Sequence, residues 1–370
     1  MRALPRIEDI WYGDAPGGAL ARRMLAPMSA VFGAAVSVRG RLYDLGLLRA
    51  RTAPAPVLSV GGLSVGGSGK TPMVIWLARR LRAEGLRPCI VTRGYGGTSD
   101  GSPMVLRATD AATDTIVDRA GDEAVLIALR SGCPVAVAHD RLAGCETAHA
   151  KLVANGEPPG VFVLDDGFQH RSLARDLDIV MTTGSESALG LLPGGPLREP
   201  LAALARADAI VSTGAGPDPP LRAIDAASTP LAVRAAIRPT LLVGDVSEET
   251  GDSVAWLAGR NVVAVAAIAR PERFLADLES AGARIAARVL RRDHHRYGQD
   301  DGREIDAALA RLDGAVVVTT EKDLVKLVHL RPRLPMRALR VELRIDRPAD
   351  EAALVRLSIA RATRPGRTGR

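Results

Sequence analysis

From Arg51 onward, short apolar runs rich in β-branched residues alternate with longer stretches of helical periodicity. That alternation predicts a parallel sheet covered by helices. Val57–Val60, Pro88–Thr92, Pro134–Ala138, Val161–Leu164, Asp178–Thr182 and Ala209–Thr213 read as strands. Thr71–Glu84 reads as a helix, with Pro72 in its first turn and Gly85 just past its end, the usual placement of these two residues. A second series follows. Val262–Ala267, Ile285–Leu290 and Ala315–Thr319 read as strands, helices begin near Pro271, Asp301 and Lys322, and Arg340–Ile345 is a last strand. Between the series lies Gly214–Pro220, GAGPDPP, the clearest linker in the chain. The expected class is α/β with two α/β/α domains, the first carrying a mostly parallel sheet. The expected segments are 1–50, 51–216, 217–360 as a second, smaller domain closing over the cleft, and a basic tail at 361–370.

The first fifty residues break this pattern. Met24–Val38 is a continuous apolar stretch containing Pro27, bracketed by Arg22 and Arg23 on one side and Arg39 and Arg41 on the other. It is short of the ~20 residues that a spanning helix needs, and it lacks a cleavage site of the secretory type. Two readings stand: a buried first helix, or a helix lying in a membrane interface with its arginines on acidic headgroups.

Composition narrows the class. The chain has 370 residues, 47% hydrophobic and 25% charged, the balance of a globular protein rather than a disordered chain, a collagen or a polytopic membrane protein. A formal charge of +7 raises the question of nucleic acid, but only four of the 49 basic residues are lysines. An arginine bias of that size speaks for codon usage, and no nucleic-acid partner is expected. It also singles out Lys70, Lys151, Lys322 and Lys326. Three scattered cysteines suit a reducing compartment, not a disulfide framework.

The strongest chemical signal is Ser64–Thr71, S-V-G-G-S-G-K-T, between a strand and a helix. A phosphate loop reads G-x-x-x-x-G-K-[ST]; here Ser64 stands for the leading glycine. Ser64, Val65, Gly66, Gly67, Ser68, Gly69, Lys70 and Thr71 would cradle nucleotide phosphates on backbone N–H groups. Lys70 would reach the β- and γ-phosphates, and the Thr71 hydroxyl would help hold Mg²⁺. An acidic metal partner belongs on a neighbouring strand, and Val161-Phe-Val-Leu-Asp-Asp166 supplies Asp165 and Asp166. This makes the first domain P-loop NTPase-type. A guanine-specific switch is disfavoured, because Leu164 sits three before Gly167 and Lys322 is directly followed by Asp323.

Further motifs complete a set: R-G-Y-G at Arg93–Gly96, G-D-E at Gly121–Glu123, D-D-G-F-Q-H at Asp165–His170 and L-P-G-G-P-L-R-E-P at Leu192–Pro200. P-E-R-F at Pro271–Phe274, D-H-H at Asp293–His295 and T-E-K-D at Thr320–Asp323 follow. In this order, over about residues 10–345, the chain resembles the tetraacyldisaccharide 4′-kinases of lipid A biosynthesis. One departure is Ala269, where the family pattern has glycine.

The resemblance implies ATP- and Mg²⁺-dependent transfer of the γ-phosphate to the 4′-hydroxyl of an acylated glucosamine disaccharide 1-phosphate. It implies Asp122 as catalytic base and brings it and His294 together over the acceptor, so the two are expected to pair across the interdomain cleft, completed when the domains close. Glu123 would assist the metal, and Arg198, an arginine suited to a phosphate fork, would neutralise transferring charge. It also favours the membrane reading of the first helix, at the cytoplasmic face of the inner membrane, with the chain acting as a monomer. On the residues alone, Asp122 also reads as a helix N-terminal carboxylate and Arg198 as a surface ion pair, while Lys322 and Lys326 read equally as lining the nucleotide cleft or as solvated helix surface. A P-loop ATPase coupled to a protein partner is the alternative function.

Overall fold

The computed structural model describes residue 11 and residues 17–98, 101–110, 114–214, 230–327 and 336–364. Helix α1 spans Gly18–Asp44. Strand β1 (Val57–Gly62) leads through the glycine-rich loop into α2 (Lys70–Ala83), followed by β2 (Pro88–Thr92) and β3 (Met104–Leu106). Next come α3 (Asp114–Ala120), α4 (Asp122–Ser131), β4 (Val135–Val137) and α5 (Arg141–Ala154). Strands β5 (Val161–Asp165), β6 (Leu177–Thr182), β7 (Ala209–Ser212) and β8 (Leu231–Val243) occupy the middle of the chain. The rest is β9 (Asp252–Ser253), β10 (Asn261–Ala266), α6 (Pro271–Ser280), β11 (Arg284–Leu290) and α7 (Gln299–Ala310). Strand β12 (Val316–Thr320), α8 (Glu321–Lys326), β13 (Met336–Ile345) and α9 (Pro348–Ala362) complete it.

The described residues form two compact units, and these are not successive halves. One comprises Met1–Lys70, Gly160–Ala236 and Ile345–Arg370; the other comprises Thr71–Pro159 and Ile237–Arg344. Residue 217, the expected joint, lies outside the described residues. Most of the Gly214–Pro220 linker and the end of the basic tail lie outside the described residues. A composition change marks a loop; strand pairing decides which segments share a core, and here pairing draws on distant stretches.

In the first unit, β5, β1, β6, β7 and the start of β8 are neighbours in that order, all parallel. Strands β1, β5 and β6 are buried at every position, as strands of a parallel sheet covered on both faces must be. The register pairs Val60 with Asp165, so the carboxyl ends of β1 and β5 emerge side by side. That edge of an open parallel sheet is where ligands bind.

Helix α1 belongs to this unit and is not core. Leu20, Met24, Met28 and Val31 are each at least 60% exposed. One stripe is anchored: Ser29 Oγ donates to the Leu191 carbonyl and accepts from the Gly194 N–H, both at 3.0 Å. Arg171 donates to the Gly40 carbonyl at 2.8 Å and pairs with Asp44 at 2.7 Å. The buried-helix reading is therefore excluded by exposure.

In the second unit β11, β10, β12 and β13 run parallel in that order. Strand β4 pairs with β2 in parallel and with β3 antiparallel, and α4 packs on α8. A buried charge cluster fixes the two helices: Glu321 lies between Arg130 at 2.5 Å and Arg340 at 2.7 Å. Removing one member of such a cluster costs about 3–5 kcal/mol, because it strands a charge in the interior.

Among the elements that escaped the sequence pattern, two have a plain reason. Strand β8 contains Pro239 and alternates arginines with apolar residues, which masks it, since proline removes a ladder donor. Helix α9 follows the last expected strand and starts with Pro348 at its first position.

Candidate active site

The first cluster stands at the carboxyl ends of β1 and β5. Gly66, Gly67 and Gly69 take φ of 74°, 65° and 85°, a left-handed region that side chains with a Cβ resist. Glycines in such turn conformations let successive backbone N–H groups converge on an anion. Upstream, the Leu192–Pro200 segment pins the loop. Val65 N–H donates to the Pro196 carbonyl at 2.9 Å, and Arg198 N–H donates to the Leu63 carbonyl at 2.7 Å. Ser64 is buried and bridged to Leu197, so a glycine's freedom is not required there. The Ser68 carbonyl accepts from Thr213 Oγ1 at 3.3 Å.

The same pinning delivers Arg198. Its Nη1 lies 2.6 Å from Asp166 Oδ2 and 3.3 Å from Gln169 Oε1, while Gln169 donates to the Gly62 carbonyl at 3.0 Å. Lys70 Nζ stands 3.6 Å from Asp166 Oδ1. Asp166, just past β5, has φ of 54°, and Asp165 is buried at the strand end. So Lys70, Asp166, Arg198 and Gln169 meet at the mouth of the loop. Thr71 is the second residue of α2.

The second cluster lies wholly within the other unit. Asp122 opens α4 and is 3% exposed; its Oδ1 accepts its neighbour Glu123 N–H at 2.8 Å and lies 3.1 Å from His294 Nδ1. Thus the Asp122–His294 pair is formed, but not between units: both residues belong to Thr71–Pro159 and Ile237–Arg344. The expectation that domain closure completes the pair is replaced by a pair preassembled inside one unit. His294 has φ of 59°. With Asp166 it is one of two non-glycine residues with positive φ among the described residues, and such strain gathers at functional sites. Gly96 of the R-G-Y-G motif seats the imidazole: a Cβ there would stand 3.0 Å from His294 Nδ1.

Charge surrounds the pair. Lys322 Nζ donates to Glu123 Oε1 and Asp293 Oδ1, each at 3.0 Å, and lies 4.0 Å from Asp122 Oδ2. Lys326 Nζ is 3.4 Å from Asp122 Oδ2 and 2.9 Å from Asp323 Oδ1. Lys322 and Lys326 are therefore not solvated surface; they are 14% and 7% exposed. Glu123 is engaged by Lys322 at 3.0 Å. Burial pushes the Asp122 carboxyl up, but the His294 hydrogen bond and the two lysines outweigh it and hold it below the ordinary 3.8. The hydrogen bond to Asp122 raises His294 above its usual 6.5, although burial and Lys322 oppose it.

These shifts set a pH window. The raised histidine stabilises the fold fully below 6.5 and loses that contribution as pH rises through its folded value; the lowered aspartate contributes above 3.8 and loses it as pH falls. His294→Ala should therefore lower the melting temperature most at about pH 5–6 and less above pH 8. A difference from the parent that grows steadily with pH would contradict the pairing.

Among the described residues, no three or more His, Cys, Asp or Glu side chains form a cation cage. Mg²⁺ does not need one, being held by one or two carboxylates together with substrate phosphates. The hard oxygens of Asp165, Asp166 and Thr71 suit it.

Comparison with known proteins extends the picture. The family model described as tetraacyldisaccharide-1-P 4′-kinase matches residues 21–358. The tetraacyldisaccharide 4′-kinase of Anaeromyxobacter dehalogenans (strain 2CP-C) is 41% identical, covering 94% of each chain. That of Aeromonas salmonicida (strain A449) is 38% identical over 86% of this chain and 87% of its own. The crystal structure of LpxK from Aquifex aeolicus in complex with ATP superimposes with a TM-score of 0.75 at 32% identity, covering 92% of this chain and 99% of that one.

Proposed function

The chain belongs to the tetraacyldisaccharide 4′-kinase family, and from that premise we propose how its residues share the reaction. The protein is an ATP-dependent kinase that moves the γ-phosphate to the 4′-hydroxyl of a tetraacyldisaccharide 1-phosphate, giving the 4′-phosphorylated lipid A precursor. The loop Ser64–Thr71 holds the phosphates of ATP on its N–H groups. Lys70 reaches the β- and γ-phosphates and releases its contact with Asp166, while Arg198 keeps that carboxylate paired. Thr71, Asp165 and Asp166 would hold Mg²⁺, which would neutralise charge on the phosphates. Asp122 takes the proton of the acceptor hydroxyl and His294 orients it. Glu123 stays with Lys322 and is left out of the metal set.

The observation that carries this reading is Lys70 standing 3.6 Å from Asp166 at the mouth of a left-handed glycine loop. The test is transfer of radiolabelled γ-phosphate to the disaccharide 1-phosphate, with free glucosamine as control. Labelled lipid and no labelled glucosamine is the expected result. ATP hydrolysis that is indifferent to the lipid would instead support an ATPase coupled to a protein partner.

An acylated acceptor has to be met at a membrane. Helix α1 is long and apolar enough to cross one by length and composition, and only 6% of its apolar window is buried. Its exposed Leu20, Met24, Met28, Val31 and Val38, flanked by four arginines, suit the acyl–headgroup boundary. On this reading the protein works at the cytoplasmic face of the inner membrane, as a monomer. Deleting residues 1–44 should abolish sedimentation with phosphatidylglycerol vesicles and preserve a cooperative melting transition. Undiminished vesicle binding would overturn this role for the helix.

A further inference from the structure

Oxygen Oδ1 of Asp122 carries two contacts, the Glu123 N–H at 2.8 Å and His294 Nδ1 at 3.1 Å. Oxygen Oδ2 is buried and receives no hydrogen bond among the described residues. Two ammonium groups face it, Lys326 at 3.4 Å and Lys322 at 4.0 Å. Lys322 also donates hydrogen bonds to Glu123 and Asp293, while Lys326 is the nearer of the two ammonium groups to Asp122.

A lysine has four rotatable bonds and locates nothing unless it is itself located. Lys326 is. Asp323, fully buried, pairs with Nζ through Oδ1 at 2.9 Å, an ion pair without a hydrogen bond. Its Oδ2 accepts the Ala267 N–H at 3.0 Å and the Thr320 hydroxyl at 2.7 Å. Thr320 caps α8 by accepting the Asp323 N–H at 3.1 Å, and the Tyr297 ring lies 5.5 Å from Nζ. A continuous chain of contacts therefore runs from the ends of β10 and β12, through Asp323 and Lys326, to Asp122. The clamp of Glu321 between Arg130 and Arg340 holds the start of the same short helix.

We propose that Lys326 is a positioning residue for the reaction: anchored by Asp323, it holds Asp122 from the Oδ2 side while His294 holds it from the Oδ1 side. The ammonium acts by charge contact rather than by a hydrogen bond, so the lone pairs of Oδ2 stay uncommitted. The inference rests on the reading of Asp122 as the base. It assigns a task to the T-E-K-D motif and to a lysine in a chain that otherwise uses arginine.

The experiment is a kinetic cycle on the full-length enzyme with the disaccharide 1-phosphate. Lys326→Met should lower kcat at least tenfold, leave KM for ATP within about twofold, and be partly rescued in Lys326→Arg. In the Asp122→Asn background the same Lys326→Met change should have no further effect on kcat, since it has nothing left to position. If Lys326→Met alone melts early, Lys326→Met/Asp323→Asn removes both buried charges together and should still show the kcat loss. A folded Lys326→Met, or the paired variant, with parental kcat overturns the proposal. So does a full tenfold loss repeated on top of Asp122→Asn. An Asp122→Asn enzyme with parental kcat would instead overturn the base assignment itself, which keeps the two failures apart.

Discussion

Lys70→Ala is expected to lower turnover about 10²–10³-fold, the scale of removing one preorganised group aimed at developing charge. The geometry explains why the loss should fall on chemistry rather than on folding. The Lys70 side chain is 13% exposed, and its Nζ is 3.6 Å from Asp166, an ion pair and not a close hydrogen bond. Arg198 already neutralises the other oxygen of Asp166 at 2.6 Å. Losing the lysine therefore strands no buried charge, and the melting temperature should move little. Lys70→Arg should not restore activity, because a planar fork replaces a compact point charge. Steady-state kinetics at saturating ATP, with melting curves alongside, checks both halves. Turnover of Lys70→Ala within a few-fold of the parent would remove the loop from the chemistry.

The second large effect concerns the acceptor side. Asp122→Asn and His294→Ala should each lower kcat by about 10²–10⁴-fold, the usual worth of positioned acid–base catalysis. Both residues lie in the second unit, away in sequence from Ser64–Lys70 in the first, so KM for ATP should stay near the parental value. The double variant should be little worse than the worse single one, because residues that act as a unit are grossly non-additive. Multiplicative losses would mean that the 3.1 Å contact is structural and that the two side chains work apart.

What could be read from the sequence was local. The phosphate loop, the acidic pair after Val161–Leu164 and the helix after Lys70 depend on spacings of a few residues, and each stands where the spacing places it. The parallel class followed from alternating β-branched runs and helices. What stayed hidden depends on pairing across the chain. The role of Lys322 could not be read because its partner Glu123 lies 199 residues away; the rarity of lysine marked it without saying why. Likewise, Asp323 looks like an ordinary acidic residue in a helix first turn until Ala267 and Thr320 are seen to close on it. The membership of the two units was hidden for the same reason, since Thr71–Pro159 needs Ile237–Arg344.

That interleaving has a consequence for how the enzyme is made. Asp122 and His294 are 172 residues apart in the chain. At roughly 5–20 residues per second of synthesis, Asp122 leaves the ribosome some ten to thirty seconds before its partner exists. A chain that stops short of His294 lacks the groups around the acceptor, and it also lacks Ile345–Arg370, which complete the unit that carries the glycine loop. Nucleotide binding and the competence to use the nucleotide therefore both arrive only when synthesis is nearly finished.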